Sequence, residues 1–137
     1  MALKDTILRP QDVLTATIAT GASLSGVAIV AGLRPHAVQI PATWTAANLT
    51  FQVASALTYA VDSDDLSGYD AGDDTSTWSN LYDAAGNEYV VVVSSAGSYI
   101  ILDPAAFDTV RYLKIRSGTA SVPVNQAETR VLTLIAR

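Results

Sequence analysis

Arg111-Tyr112-Leu113-Lys114-Ile115-Arg116-Ser117 alternates along its length, and its reading decides the fold class. Successive side chains of a β-strand point to opposite faces, so Leu113 and Ile115 share one face while Tyr112, Lys114 and Arg116 share the other. The aliphatic face suits a core. The face with two cations and a phenol suits water or a partner molecule. Such a strand needs a second layer over its apolar side, and the rest of the chain offers enough similar segments to supply one.

The chain has 137 residues, half of them hydrophobic and only 15% charged, with no cysteine. That length suits one domain able to bury a core without cross-links, and the low charge argues against a disordered tail. Much of the apolar content is Ala and Val among Ser, Thr and Gly, as short strands and tight loops require; helices favour Leu, Glu and Lys. The formal charge of −5 opposes a nucleic-acid binder, since affinity for phosphate backbones rests on clustered Lys and Arg. Only Lys4 and Lys114 are lysines, and the arginines form no run. The longest apolar stretch, residues 27–33, is about a third of a membrane span. The first residues carry no apolar segment of signal-peptide length, so a cytosolic site of synthesis is expected.

Residues 1–11 are expected to form an extended arm, because Arg9 precedes Pro10 and is restricted to extended geometry. Residues 12–137 then read as one domain. Residues 12–19 alternate with Leu14, Ala16 and Ile18 on one face. Residues 24–30 follow as a second extended segment broken by Gly26. Residues 36–41 form a third strand with Val38 and Ile40 inward, and residues 49–55 a fourth with Leu49, Phe51 and Val53 inward. Further strands are expected at 78–82, 88–93, 99–102, 111–117 and 130–136, the first two joined as a hairpin through Asp83-Ala84-Ala85-Gly86-Asn87. Glu88-Tyr89-Val90-Val91-Val92-Val93 has the strongest strand propensity of all. Asp103-Pro104-Ala105-Ala106-Phe107 reads as a single helical turn with Asp103 capping and Pro104 at the first helical position. About nine short strands with no long helix predict an all-β protein, an antiparallel β-sandwich rather than a closed barrel.

Between the fourth strand and Trp78 lies an acidic loop insertion at about 58–79, with Asp62, Asp64, Asp65, Asp70, Asp73 and Asp74 among glycines and hydroxyl residues. Oxygen-rich loops can take calcium, but Asp62-Ser63-Asp64-Asp65-Leu66-Ser67-Gly68 lacks the ligand order and terminal glutamate of an EF-hand, and a solvated loop is the expectation. His36 is the only histidine, so neither a catalytic Ser-His-Asp set nor a multi-histidine metal site is expected. Trp44 is read as a plug at one end of the core with its indole N–H paired. No cofactor and no catalysis are expected.

Two resemblances add to this reading. The order Leu49-Thr50-Phe51-Gln52-Val53, Ser79-Asn80-Leu81-Tyr82, Tyr99-Ile100-Ile101-Leu102-Asp103-Pro104 and Val110-Arg111-Tyr112-Leu113-Lys114-Ile115 resembles the galactose-binding-like jelly roll of discoidin type, over roughly residues 36–137. It implies a jelly-roll sandwich; the family's compact turn after the Phe strand is replaced here by the acidic insertion, and no sugar-binding motif carries over. The runs Ile40-Pro41-Ala42-Thr43-Trp44-Thr45-Ala46-Ala47, Asn80-Leu81-Tyr82-Asp83-Ala84-Ala85-Gly86 and Arg111 through Thr119 look like small proteins encoded among the head and tail genes of tailed bacteriophages. That resemblance implies a virion structural role, most of all as a capsid decoration or cement protein assembled in the host cytoplasm.

On that reading the partner is the major capsid protein or another virion protein. The chain is a homo-oligomer on the particle, and neither nucleic acid nor membrane is contacted. Contacts are expected from the arm (Leu3, Ile7, Leu8) or from Tyr112, Lys114 and Arg116. The alternative is a carbohydrate-binding or tail adsorption module contacting host glycans, for which Trp78, Tyr59 and Tyr69 are the stacking candidates.

Overall fold

The computed structural model describes residues 12–30, 32–56 and 76–137, so the arm and most of the acidic insertion lie outside the described residues. Within them the chain is an antiparallel β-sandwich of two four-stranded sheets. The strands are β1 (Asp12–Ile18), β2 (Ala28–Ile29), β3 (Pro35–Gln39), β4 (Leu49–Ala54), β5 (Ser79–Asn80), β6 (Tyr99–Ile101), β7 (Tyr112–Ser117) and β8 (Arg130–Ala136). Sheet A has the order β1-β8-β3-β6 and sheet B the order β2-β7-β4-β5. Within these sheets β1 pairs with β8, β2 with β7, β3 with β6 and β4 with β5, all antiparallel.

The opening stretch is β7, and it runs through the interior of sheet B between β2 and β4. Its alternation survives: Leu113 and Ile115 are fully buried, and across β4 they meet Val53 and Phe51. In sheet A the inward row is Leu14, Leu134, Val38 and Ile100, each opposite the next across β1, β8, β3 and β6. These two aliphatic layers face each other and form the core. Burial of such side chains contributes about 1.5–3 kcal/mol each, which for a chain without disulfides is the main stabilising term.

One end of the core is closed by rings. Phe51 and Phe107 meet edge to face at 5.3 Å, and Tyr89 packs on both, at 5.9 Å and 5.6 Å. Phe107 arrives on the 3₁₀ turn Pro104–Phe107, whose N-cap Asp103 accepts from the Ala105 N–H, as the Asp-Pro signal requires. Trp44 packs against the core edge and donates its indole N–H to the Ala47 carbonyl at 3.0 Å.

Gln126, with no exposed surface, pins a neighbouring loop. Its Oε1 accepts from the Thr45 N–H and the Arg130 Nε, and its Nε2 donates to the Thr45 carbonyl and Ser117 Oγ. Every polar atom of this buried amide is thereby used, as its desolvation demands.

Three expected strands are shorter in the structure than their propensity suggests, and of residues 78–82 only Ser79–Asn80 enters a ladder. Of residues 24–30 only Ala28–Ile29 enters a ladder, because the Ser25 hydroxyl accepts the Ile115 N–H at 2.8 Å and takes the place of a ladder acceptor. Of residues 88–93 only two bridges form, Tyr82 with Glu88 and Leu49 with Val91. Past Val91 the Asn48 side chain accepts the Val93 N–H and ends the pairing, so a run of four valines does not make a strand. The hairpin turn between them is present in short form, with Asp83 bonded to Asn87 and Gly86.

Candidate functional site

The outer face of sheet B holds the cationic candidates. Arg116 was expected to face water or a partner; instead it is 7% exposed and its guanidinium is committed internally. Nη1 donates to Thr50 Oγ1 at 3.3 Å and to Glu88 Oε2 at 3.2 Å, and Nη2 donates to Asn80 Oδ1 at 2.7 Å. Glu88 in turn accepts the Ala120 N–H. Arg116 therefore ties β4, β5, β7 and the loop after β7 together. The reason is positional: β7 is an interior strand, so its outward side chains are flanked by neighbours on both sides.

Lys114 and Trp78 come from separate parts of the sequence reading, and the structure brings them together with the ammonium 4.4 Å from the indole centroid. An ammonium over an indole face is attracted by the ring quadrupole, which orients both side chains. Tyr112 is half-buried, with the Arg111 guanidinium 5.9 Å from its ring. Leu3, Ile7, Leu8, Tyr59 and Tyr69 lie outside the described residues. His36 is the extra residue of a β-bulge, where the register of β3 against β8 passes from Pro35 opposite Ala136 to Ala37 opposite Ile135.

Burial pushes the Tyr89 phenol above its ordinary value of 10.0; the hydrogen bond from the Asp103 N–H opposes that shift and the nearby Asp103 charge adds to it. Among the described residues no group of three or more His, Cys, Asp or Glu stands close enough to hold a metal. Among them also, no helix is long and apolar enough to cross a membrane.

The outer face of sheet A was not singled out by sequence reasoning. One row across it is Val13, Ile135, Ala37 and Ile101; the next is Thr15, Thr133, Gln39 and Tyr99; Thr17 lies opposite Val131 beyond them. None of these side chains is charged. Four large ones stand well into solvent: Ile101 at 76% exposure, Val13 at 62%, Tyr99 at 56% and Val131 at 46%. The signal was present in the sequence. β1 beyond Asp12, β6 and β8 beyond Arg130 contain no charged residue, so their solvent sides are as neutral as their core sides.

Between the exposed Val13 and Ile101, Ile135 and Ala37 are buried, so the solvent-facing apolar groups stand mainly on the edge strands β1 and β6 and at Val131; an uncharged sheet face with such groups is chemistry for adhesion. A stable pairwise interface needs about 800 Å² per partner, more than these four exposed side chains supply, so this face alone makes a weak contact that gains strength by repetition.

A scan against protein-family models found no match to the chain, and neither did searches of curated proteins and of solved structures.

Proposed function

We propose that the chain is a non-enzymatic structural component of a tailed-phage virion, a capsid decoration or cement protein that binds the shell in many copies. The observation that carries this reading is the neutral outer face of sheet A with Ile101, Val13, Tyr99 and Val131 exposed. On a chain of net charge −5 it is a surface that approaches an acidic or neutral partner without like-charge repulsion. The second support is the resemblance of residues 40–47, 80–86 and 111–119 to small proteins of phage head and tail gene clusters. The partner is the major capsid protein or a neighbouring virion protein, and copies on the particle stand close enough to assemble with one another. A single contact of this size is weak, and a lattice of shell subunits multiplies it. Quantitative mass spectrometry of purified particles tests the reading: many copies per particle are expected, and absence from particles refutes it.

A second reading, a module that binds host glycans, has one observation in its favour. Trp78, Lys114, Gln52 and Asn80 form an aromatic and polar platform on sheet B, the mix of groups that sugars stack on and hydrogen-bond to. Glycan-array binding that is lost in Trp78→Ala would favour it over the capsid reading.

A further inference from the structure

At one end of the sandwich a cleft of about 480 Å³ opens between residues 32–34 and residues 108–111. Arg34 and Arg111 line it together with Asp108 and Thr109. Asp108 Oδ1 lies 2.8 Å from Arg34 Nε, and both side chains of that bridge are more than half exposed, at 51% and 59%. Two backbone hydrogen bonds, Arg34 N–H to the Arg137 carbonyl at 2.9 Å and Arg137 N–H to the Arg34 carbonyl at 3.0 Å, fix the backbone at Arg34. Two arginines, Arg34 and Arg111, therefore line one cleft of an acidic chain, the Arg111 guanidinium also lying 5.9 Å from the Tyr112 ring.

That concentration runs against the electrostatics of the rest of the molecule. Arg116 and Arg130 are buried, with their guanidinium nitrogens bonded to acceptors within the fold. At the cleft the bridge to Asp108 engages Nε of Arg34, whereas a guanidinium carries five N–H donors in a planar fork. The bridge shows Arg34 donating to a carboxylate oxygen in place, through Nε. The cleft is larger than a lone carboxylate requires and falls in the size range of small-molecule sites. Leu33 and the buried Val110 supply an apolar surface within it, and the Thr109 hydroxyl supplies a polar edge.

We propose that this cleft is a binding site for an organic carboxylate of about monosaccharide size, held by the guanidinium forks of Arg34 and Arg111. Charge-assisted, bidentate bonds from arginine to carboxylate are stronger and more directional than neutral ones, so both arginines contribute to affinity and orientation. The assignment is independent of the attachment surface, because the cleft lies at the end of the sandwich and the attachment residues lie on the outer face of sheet A.

The test is a titration of the folded protein with glucuronate, followed by amide NMR shifts, with glucose and inorganic phosphate as comparison ligands. Glucuronate is expected to give saturable shifts at Gly32, Thr109 and Arg111, and glucose none at the same concentrations. Arg34→Gln and Arg111→Gln, whose spectra report whether each variant is folded, are each expected to weaken binding at least about tenfold. The proposal is overturned by an unsaturable response, by equal responses to glucose and glucuronate, or by variants that bind as the wild type does. Phosphate binding as tight as that of glucuronate also overturns it, since the cleft would then read charge alone.

Discussion

The Glu88 carboxylate and the Arg116 guanidinium meet 3.2 Å apart, with side-chain exposures of only 17% and 8%. They join two segments 28 residues apart in sequence, and through Thr50, Asn80 and Ala120 they hold three more positions. An ion pair this far from water stabilises the fold only while both partners are present, because removing one leaves the other desolvated and unpaired.

Arg116→Met should therefore destabilise the protein by about 3 kcal/mol. Glu88→Gln keeps hydrogen-bonding capacity but leaves the Arg116 guanidinium without its counter-charge, and should cost about 2 kcal/mol. Urea unfolding midpoints of the two variants check this order, and a neutral Arg116→Met would show that the network is dispensable.

Gln126→Ala removes the partners of Thr45, Ser117 and Arg130 in one step. Leaving a buried polar group unsatisfied costs about 1–3 kcal/mol, so the loss should stand near the upper end of that range. Loss of hydrogen-exchange protection at the Thr45 amide should accompany it.

Gly118 adopts φ +91°, and a Cβ there would stand 2.5 Å from the Val122 carbonyl oxygen and 2.7 Å from the Val124 nitrogen. Both obstacles are backbone, so a side chain cannot be accommodated by a rotamer change. Gly118→Ala should cost more than the ~1–2 kcal/mol of a left-handed L-residue alone, and thermal unfolding measures it.

Tyr89 is held neutral by burial, so its phenol titrates higher in the folded chain than in the unfolded one. A raised folded value means that the stabilising term is fully present below pH of about 10 and is lost as pH rises through the folded value. Unfolding free energy should therefore fall on the alkaline side of about pH 10. In Tyr89→Phe that fall should be shallower, and denaturant unfolding across this range reads the difference.

Much of the fold was legible in the sequence, for a definite reason. Strands such as 111–117 and 130–136 alternate with period two and sit inside a sheet, where burial enforces the pattern that the residues display. The Asp103-Pro104 turn and the pairing of the Trp44 indole followed from local chemistry in the same way. Residues 24–30 and 88–93 were less legible because single side chains, Ser25 and Asn48, take the ladder hydrogen bonds, and propensity does not record such a competition. Arg116 read as a surface cation because alternation gives a direction but not the neighbours on adjacent strands. The outer face of sheet A is hard to read in the sequence for a related reason: alternation marks the inward positions, whereas an absence of charge on the outward ones leaves no pattern of its own.

The most direct measurement is the copy number of the protein on purified virions, for the wild type and for a Val13→Lys, Ile101→Lys double variant. Both positions are exposed, so the variant should fold with wild-type stability. The wild type should be present in many copies, and two cations placed on the neutral face should lower that number at least about tenfold, through the desolvation of each buried charge. Wild-type protein absent from virions, or a double variant that loads as fully as the wild type, would contradict attachment through sheet A.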